Sequence, residues 1–546
     1  MKRCPECRRD YFDETLVFCL DDGAQLVDGP GADLPSESPT RVLPTTDAKS
    51  ADASRRNSII AGIIGVSIVT ALGIGSYLYY GRGASKQIDS IAVMPFVNES
   101  GNPDVDYLSD GMPETLINSL TEIPNLKVKP RTSSFRYKGR EADAKLVGSE
   151  LGVGTILNGR LVQRGDEITL FLTLIDTGTE DQIWGKQYSQ KLGNLLALQS
   201  EVGRDVLETL RKKLSGLEEQ KLAKSYTVDP EAYRLYLQGR FYWNKRNPKD
   251  LGRAISYFEQ AIAIDPNYAL AYAGLADAVA QPSDTVSYPE REKRAKAAAY
   301  KASQIDDTLA EAHSALGHLS MRFDLDFERA ERELTRALEL NPKWVDTYQR
   351  YGELNSFRGR HDEALAKFRQ GLEIEPFNLP LNANYGASLT SAGRYDEAIV
   401  QLKKTLAIDP AFRPAYNPLS TAYRMKGMFA ESVEARAKFL ELAGDSQHAE
   451  SIREVFRNRG WEGYLRAELL RYEASSERSF DRTPYYGEAI FLAALGEKDK
   501  AFAALSRSVE NRENPLLTRL KVDPSLDPLR DDPRFSELLK KIGFPD

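Results

Sequence analysis

Cysteine vanishes from this sequence after position 19. The three it has, Cys4, Cys7 and Cys19, stand in the first twenty residues of a 546-residue chain, so no disulfide framework braces the remainder. Histidine is scarce too: of four in all, His313, His361 and His448 are scattered with no ligand or triad spacing. A basic excess is also missing. The 73 Lys and Arg against 80 Asp and Glu leave a net charge of −7, which excludes the concentrated positive surface of a nucleic-acid binder. There is no G-x-x-x-x-G-K-[ST] loop, no G-x-S-x-G elbow and no H-E-x-x-H helix, and Gly152-x-Gly154 is too short for a dinucleotide fingerprint. Catalysis is not announced anywhere.

What is present is the composition of an ordered protein, 41% apolar and 28% charged with 26 tyrosines. The length is too great for one hydrophobic core, and roughly three to five domains are expected. The pattern along the chain is that of a multidomain α plus α/β protein.

At the start, Cys4-x-x-Cys7 sets two thiolates within reach of one tetrahedral ion. Phe18-Cys19-Leu20-Asp21-Asp22-Gly23 and Leu26 follow. Residues 1–26 resemble a zinc ribbon, with Asp22 where the fourth cysteine would stand and Asp21 as the rival donor. The resemblance implies one structural Zn2+ on Cys4, Cys7, Cys19 and Asp22, and so short a segment would need such a staple to fold. The alternative is three reduced, unmetallated thiols.

Residues 27–56 carry Pro30, Pro35, Pro39 and Pro44 among small polar residues, as a flexible linker does. The chain then runs without a charge from Ile59 to Tyr80, about 33 Å of helix at ~1.5 Å per residue. A transmembrane helix is expected over 57–80. Lys49, Arg55 and Arg56 before it, against Arg82 and Lys86 after it, favour a cytoplasmic N-terminus. The bulk would then be periplasmic or otherwise extracytoplasmic, past the inner membrane, which suits its lack of thiols. Ala61 and Gly65, and Ser67, Ala71 and Gly75, give small-xxx-small spacings. A homodimer and a lone anchor both stay open.

From Ile88 the pattern predicts a strand at 91–96, a helix capped by Asp110, a strand at 126–128 and a short helix at 143–151. A meander of strands over 155–189 and a helix over 195–214 complete it. Residues 86–215 resemble the TolB-like amino-terminal domain. The resemblance rests on Ala92-Val93-Met94-Pro95-Phe96, Asn98, Tyr107-Leu108-Ser109-Asp110-Gly111, Arg131-Thr132-Ser133, Leu151-Gly152-Val153, Asn158-Gly159 and Ile183-Trp184. It implies a small α/β module with an interaction or sensing role and no established catalysis. Related proteins carry DNA-binding, kinase or cyclase domains ahead of it, a place held here by the ribbon alone.

Over 229–444 the signal is a helical repeat. Pro342, Pro376 and Pro410 are 34 residues apart, the tetratricopeptide period. Each proline is expected to start the next helix pair. Tyr348, Tyr351, Gly352, Ala364, Phe368 and Gly371 take the packing positions, and residues 281–294 are an insertion in the second unit. Six repeats are expected, then degenerate repeat-like helices and a C-terminal cap over 445–546, a solenoid end with Asp523-Pro524, Asp527-Pro528 and Asp532-Pro533 as turn or helix-start signals.

Counting along the first helix of each pair puts Asp277, Glu311, His318, Glu353, Asn417, Thr421 and Arg424 on the concave face, as peptide-groove residues or as a merely solvated helix face. The Lys/Asn clamp of some relatives is not matched: Ala273, Ser314, Gln349, Ala383 and Asn417 hold its first position. The reading is a non-enzymatic, membrane-anchored scaffold binding a protein or peptide outside the cytoplasm, with the bilayer as its other partner and no nucleic acid. The alternative is a single-pass signalling receptor whose TolB-like domain senses a ligand or envelope component.

Overall fold

The computed structural model describes residues 88–544 apart from 122, 124–125, 141–142, 211–226, 246–247, 282–286, 476–483 and 512–513, together with three two-residue strands nearer the N-terminus. The chain divides into two units, Met1–Ser85 and Lys86–Asp546. In the first, β1 (Lys2–Arg3) pairs antiparallel with β2 (Asp10–Tyr11) and with β3 (Val27–Asp28). Cys4, Cys7, Cys19, Asp22 and residues 29–80 lie outside the described residues, and the first two residues of the expected 27–56 linker are β3. Among the described ones no helix is long and apolar enough to cross a membrane.

The second unit begins with a mixed sheet in the order β6-β4-β7-β8-β9, with β5 also on β7. Its strands are β4 (Ser90–Val93), β5 (Val97–Asn98), β6 (Lys127–Val128), β7 (Thr155–Arg164), β8 (Glu167–Asp176) and β9 (Gln182–Lys191). β4 is parallel to β6 and β7, while β7, β8 and β9 form the antiparallel meander. Gly165, at φ +61, turns β7 into β8. The strand expected at 91–96 is two strands, because Pro95 between them has no N–H for a ladder.

Helices α1 (Asp106–Thr121), α2 (Arg131–Ser134), α3 (Ala144–Leu151) and α4 (Leu195–Thr209) accompany the sheet. Asp110 does not cap α1. Asn102 caps a 3-10 turn, Pro103–Val105, that runs straight into the helix, so Asp110 sits one turn inside it and accepts from Lys138 Nζ at 2.5 Å. Pro113 within α1 cannot bond the Ser109 carbonyl, and the Phe96 N–H takes that acceptor instead at 3.0 Å. The helix defect thereby locks α1 to the sheet.

Six helix pairs follow: α5 (Pro230–Asn244) with α6 (Pro248–Ile264), α7 (Ala269–Val279) with α8 (Tyr288–Ile305), and α9 (Ala310–Leu319) with α10 (Phe327–Leu340). Then come α11 (Val345–Phe357) with α12 (His361–Ile374), α13 (Leu379–Ser391) with α14 (Tyr395–Ile408), and α15 (Tyr416–Met425) with α16 (Phe429–Leu442). Glycines let the two helices of a pair close up. A Cβ on Gly352 would stand 2.7 Å from the Phe368 ring, and one on Gly386 2.5 Å from Leu402. Pro342, Pro376 and Pro410 do not open helices. They lie in the connecting turns, where Asn341 and Asp409 accept from the backbone of Lys343 and Ala411 and the next helical residues come after them. Of the insertion expected at 281–294, residues from Tyr288 onward already belong to α8.

After the repeats run α17 (Ser446–Ser475), kinked at Gly460, α18 (Pro484–Ala494) and α19 (Lys498–Glu510). The chain ends in α20 (Asn514–Leu517), a 3-10 helix Pro524–Leu529 and α21 (Pro533–Lys541). Asp523 and Asp532 cap the last two by accepting from Ser525 and Arg534 backbone N–H groups. This tail folds back onto the third and fourth repeats. Leu517, Leu520, Leu526, Leu529 and Phe535 share one buried cluster with Met321, Phe327, Leu334, Leu354 and Phe357.

Candidate interaction cleft

The first repeat is built into the α/β unit. Tyr233 and Leu237 of α5 belong to the buried cluster of Leu108, Met112 and Leu116 from α1, and a side chain at Gly111 would meet Leu237 at 3.2 Å. Beside this apolar contact the Glu114 carboxylate accepts from Arg240 Nη2 at 2.6 Å and Asn244 Nδ2 at 2.8 Å, with Arg131 Nε 3.1 Å away. Burial alone would raise the Glu114 carboxyl. Attraction to Arg240 and Arg131 outweighs it and holds the group below its ordinary value.

Farther along, three contacts tie the α/β unit to turns between repeats. Thr132 Oγ1 donates to Glu375 at 3.2 Å, Lys343 Nζ to the Thr121 carbonyl at 2.6 Å, and the Arg136 guanidinium lies 4.4 Å over the Phe377 ring. Burial pushes the Glu375 carboxyl up, an effect that nearby Asp346 reinforces and that hydrogen bonds from Asn378 and Thr132 oppose.

Between these ties lies an open cleft of about 2190 Å3. One wall is the α/β unit, with Arg131, Arg136, Arg140 and Arg204. The other is the repeat stack, with Asp277, Glu311, Asp346 and Glu375, and the turns between repeats add Trp344, Phe377 and Phe412. A cleft of that size with aromatic rims and charges of both signs on each wall, Glu208 among the arginines of the one and Lys343 and Lys404 among the carboxylates of the other, suits an extended polypeptide better than a small ligand. Among the described residues no group of three or more His, Cys, Asp or Glu could hold a metal ion.

The seven concave-face candidates fall in three places. Asp277 and Glu311 line the cleft, and Asp277 accepts from Arg350 Nη2 at 2.7 Å. His318 and Glu353 belong to the inner face farther on. The His318 imidazole has no partner at Nδ1 and is held well below its ordinary pKa by burial and by Arg350 and Arg322, while Glu353 accepts from Gln349 at 3.1 Å and Asn384 at 2.8 Å. Arg424 is covered by the tail and donates to Ser525 Oγ. Asn417 and Thr421 stand with it on α15, and Asn417 is exposed. Of the scattered histidines, His313 of α9 meets Glu333 of α10 at 2.8 Å, and His448 meets Glu468 at 2.6 Å across the kink of α17.

Sequence reasoning does not find Glu114, Arg240 and Asn244. Arg240 and Asn244 stand four apart on α5, on one face, which is a usable signal. Nothing local to Glu114 marks it as their partner.

Comparison with known proteins centres on the repeats. Residues 232–268 and 358–431 match tetratricopeptide repeat families. Over 186 residues the chain is 37% identical to a putative adenylate cyclase 3 of Rhizobium meliloti (strain 1021), covering 34% of this chain and 32% of that protein. The chain thus spans about a third of the length of the curated relative it matches. Among solved structures, YrrB, described as a TPR protein with an unusual peptide-binding site, is 20% identical with a TM-score of 0.25, covering 36% of this chain and 97% of its own. TTC0263, a thermophilic TPR protein of Thermus thermophilus, is 17% identical with a TM-score of 0.30, covering 37% and 98%. The helix pairs of this chain are tetratricopeptide repeats, and they stand behind a small mixed sheet.

Proposed function

We propose that this protein is a non-enzymatic, membrane-anchored scaffold that holds a protein or peptide partner in the cleft between its α/β unit and its repeats. The observation that carries the reading is the division of the inner face. The tail fills the part beside repeats three and four, whereas the part facing the α/β unit is open and lined from both sides. Residues 57–80 would anchor the chain in the inner membrane, with the N-terminus cytoplasmic and the bulk outside. The mixed sheet and its helices agree in order with the expected TolB-like domain. Cys4, Cys7, Cys19 and Asp22 would hold a structural Zn2+; that Arg3, next to Cys4, pairs with both Asp10 and Val27 brings separate parts of the segment together and fits such a staple. Cyclase activity is not carried over, because two thirds of that relative lies outside the match.

A receptor reading has one observation in its favour. The α/β unit grips the first repeat through Glu114 and Arg240 and the fourth through Thr132 and Glu375, so a ligand on one part would be felt by the other. The scaffold reading is tested by affinity capture from native membranes with the full chain and with a Trp344→Ala, Phe377→Ala double variant. Loss of the captured protein from the double variant, with unchanged melting, supports the cleft. Equal capture removes it.

A further inference from the structure

The third repeat carries one residue more than the two that follow it. Thirteen positions separate Gly317 from Ala330, whereas twelve separate Gly352 from Ala364 and Gly386 from Ala398. The extra residue is absorbed at the end of α9 as a π turn, Ser320–Asp324, closed by Leu325 at φ +56. The matching left-handed positions of the next three repeats are glycines, Gly359, Gly393 and Gly427. A branched side chain there is strained and persists because its surroundings hold it, and such turns concentrate at functional positions. Here the tail does the holding, for Leu325 packs on the cluster that includes Leu517 and Leu520.

The widened turn presents Arg322. Met321 before it is buried with the tail, and the ring of Phe323 after it packs at a tilt on Tyr288, 5.1 Å between centroids. Between them Arg322 is half-buried and makes no hydrogen bond or ion pair among the described residues. Its neighbours are cationic. Arg519 comes from the tail just beyond α20, the helix that packs on the π turn, and it too is half-buried without a side-chain partner among the described residues. Arg291 lies 5.7 Å from the Tyr288 ring. Glu353 is the carboxylate opposing them, and it already serves Gln349 and Asn384. Burial, together with Arg519 and Arg291, holds the Arg322 guanidinium below the usual arginine value. Enclosed charges are ordinarily paired, and planar guanidinium groups match oxyanions with two parallel hydrogen bonds.

We propose that Arg322 and Arg519, with Arg291 and His318 beside them, form a binding site for an oxyanion on the inner face of the repeat stack. The oxyanion is a free phosphate-like ion or a carboxylate side chain of a bound polypeptide. The site is made of the second and third repeats and the tail, and none of its four residues lines the cleft, so it is independent of the cleft reading.

The test is thermal unfolding of the detergent-solubilised full chain at fixed ionic strength, with KCl replaced stepwise by potassium phosphate or by acetylated tetraglutamate. The expected result is a saturable rise of the melting midpoint by about 2–4 °C that Arg322→Gln and Arg519→Gln each abolish. In KCl alone both variants should melt no lower than the parent, since each loses a like-charge neighbour. Saturation by phosphate alone assigns the site to a free ion, and saturation by tetraglutamate at lower concentration assigns it to an acidic polypeptide. No anion-specific rise, or the same rise in both variants, overturns the proposal. Lower melting of both variants in KCl also overturns it, by making the arginines structural. The phosphate arm needs no protein partner, so its failure leaves the cleft reading standing.

Discussion

Glu114 and Arg240 meet at 2.6 Å where α1 of the sheet unit lies against α5, the first helix of the repeats. Both side chains are mostly enclosed; Arg240 donates to Glu114 through Nε as well as Nη2, and Glu114 also accepts from Asn244. Removing one member leaves the other buried and unpaired, which costs about 3–5 kcal/mol. Glu114→Ala should therefore lower stability in urea by that order, while a Glu114→Leu, Arg240→Leu pair should recover much of it. The pH sign follows from the depressed Glu114 carboxyl. Its contribution is complete above the ordinary value of 4.5 and is lost as pH falls through the lower folded value. Parent and Glu114→Gln curves should converge below pH 4.5.

Gly352 fixes the spacing of α11 and α12. A methyl group at 2.7 Å from Phe368 must displace a fully buried ring, and overpacking of that kind costs about 1–3 kcal/mol. Gly352→Ala should reduce the urea midpoint, and Gly352→Ala with Phe368→Leu should restore part of the loss. An unchanged midpoint in the single variant would show that the pair is not closely packed.

The tail is part of the core. Phe535 is 2% exposed among residues of the third and fourth repeats, and truncating a buried Phe costs about 3–5 kcal/mol. Phe535→Ala should speed hydrogen exchange at Leu354 and Phe357 as well as in α21. Faster exchange confined to 514–544 would instead describe a detachable strap.

Topology and metal have their own measurements. In a background lacking the three native cysteines, a cysteine at Ser225 should label with impermeant maleimide on cells with a permeabilised outer membrane, and one at Ser36 should not. Metal analysis of the purified chain should find one zinc, lost with Cys4→Ser and Cys7→Ser, while the unfolding of the repeats is unaffected by chelator.

The repeats are legible because their packing demands are local and periodic. Gly352, Ala364 and Phe368 recur with the spacing of two close-packed helices, and the meander turn shows in Gly165. What escapes is whatever depends on which surface a segment meets. The tail's Leu526 and Phe535 have the pattern of any amphipathic segment, and nothing near them names the third and fourth repeats as their cover. Helix counting places Arg424 on the inner face, but Ser525, which covers it, is about a hundred residues away. Asp110 reads as a cap because it precedes an apolar stripe, whereas Asn102 and Pro103 have already begun the helical path.

The most direct measurement of the central claim is site-specific photo-crosslinking in cells. A photoreactive phenylalanine analogue would replace Arg204 or Lys404, exposed residues on opposite walls of the cleft, and, as outside controls, Glu363 or Lys500. The account predicts one adduct, with the same partner, from both cleft positions and none from the controls. Adducts from Glu363 and Lys500 with none from Arg204 and Lys404 would contradict it.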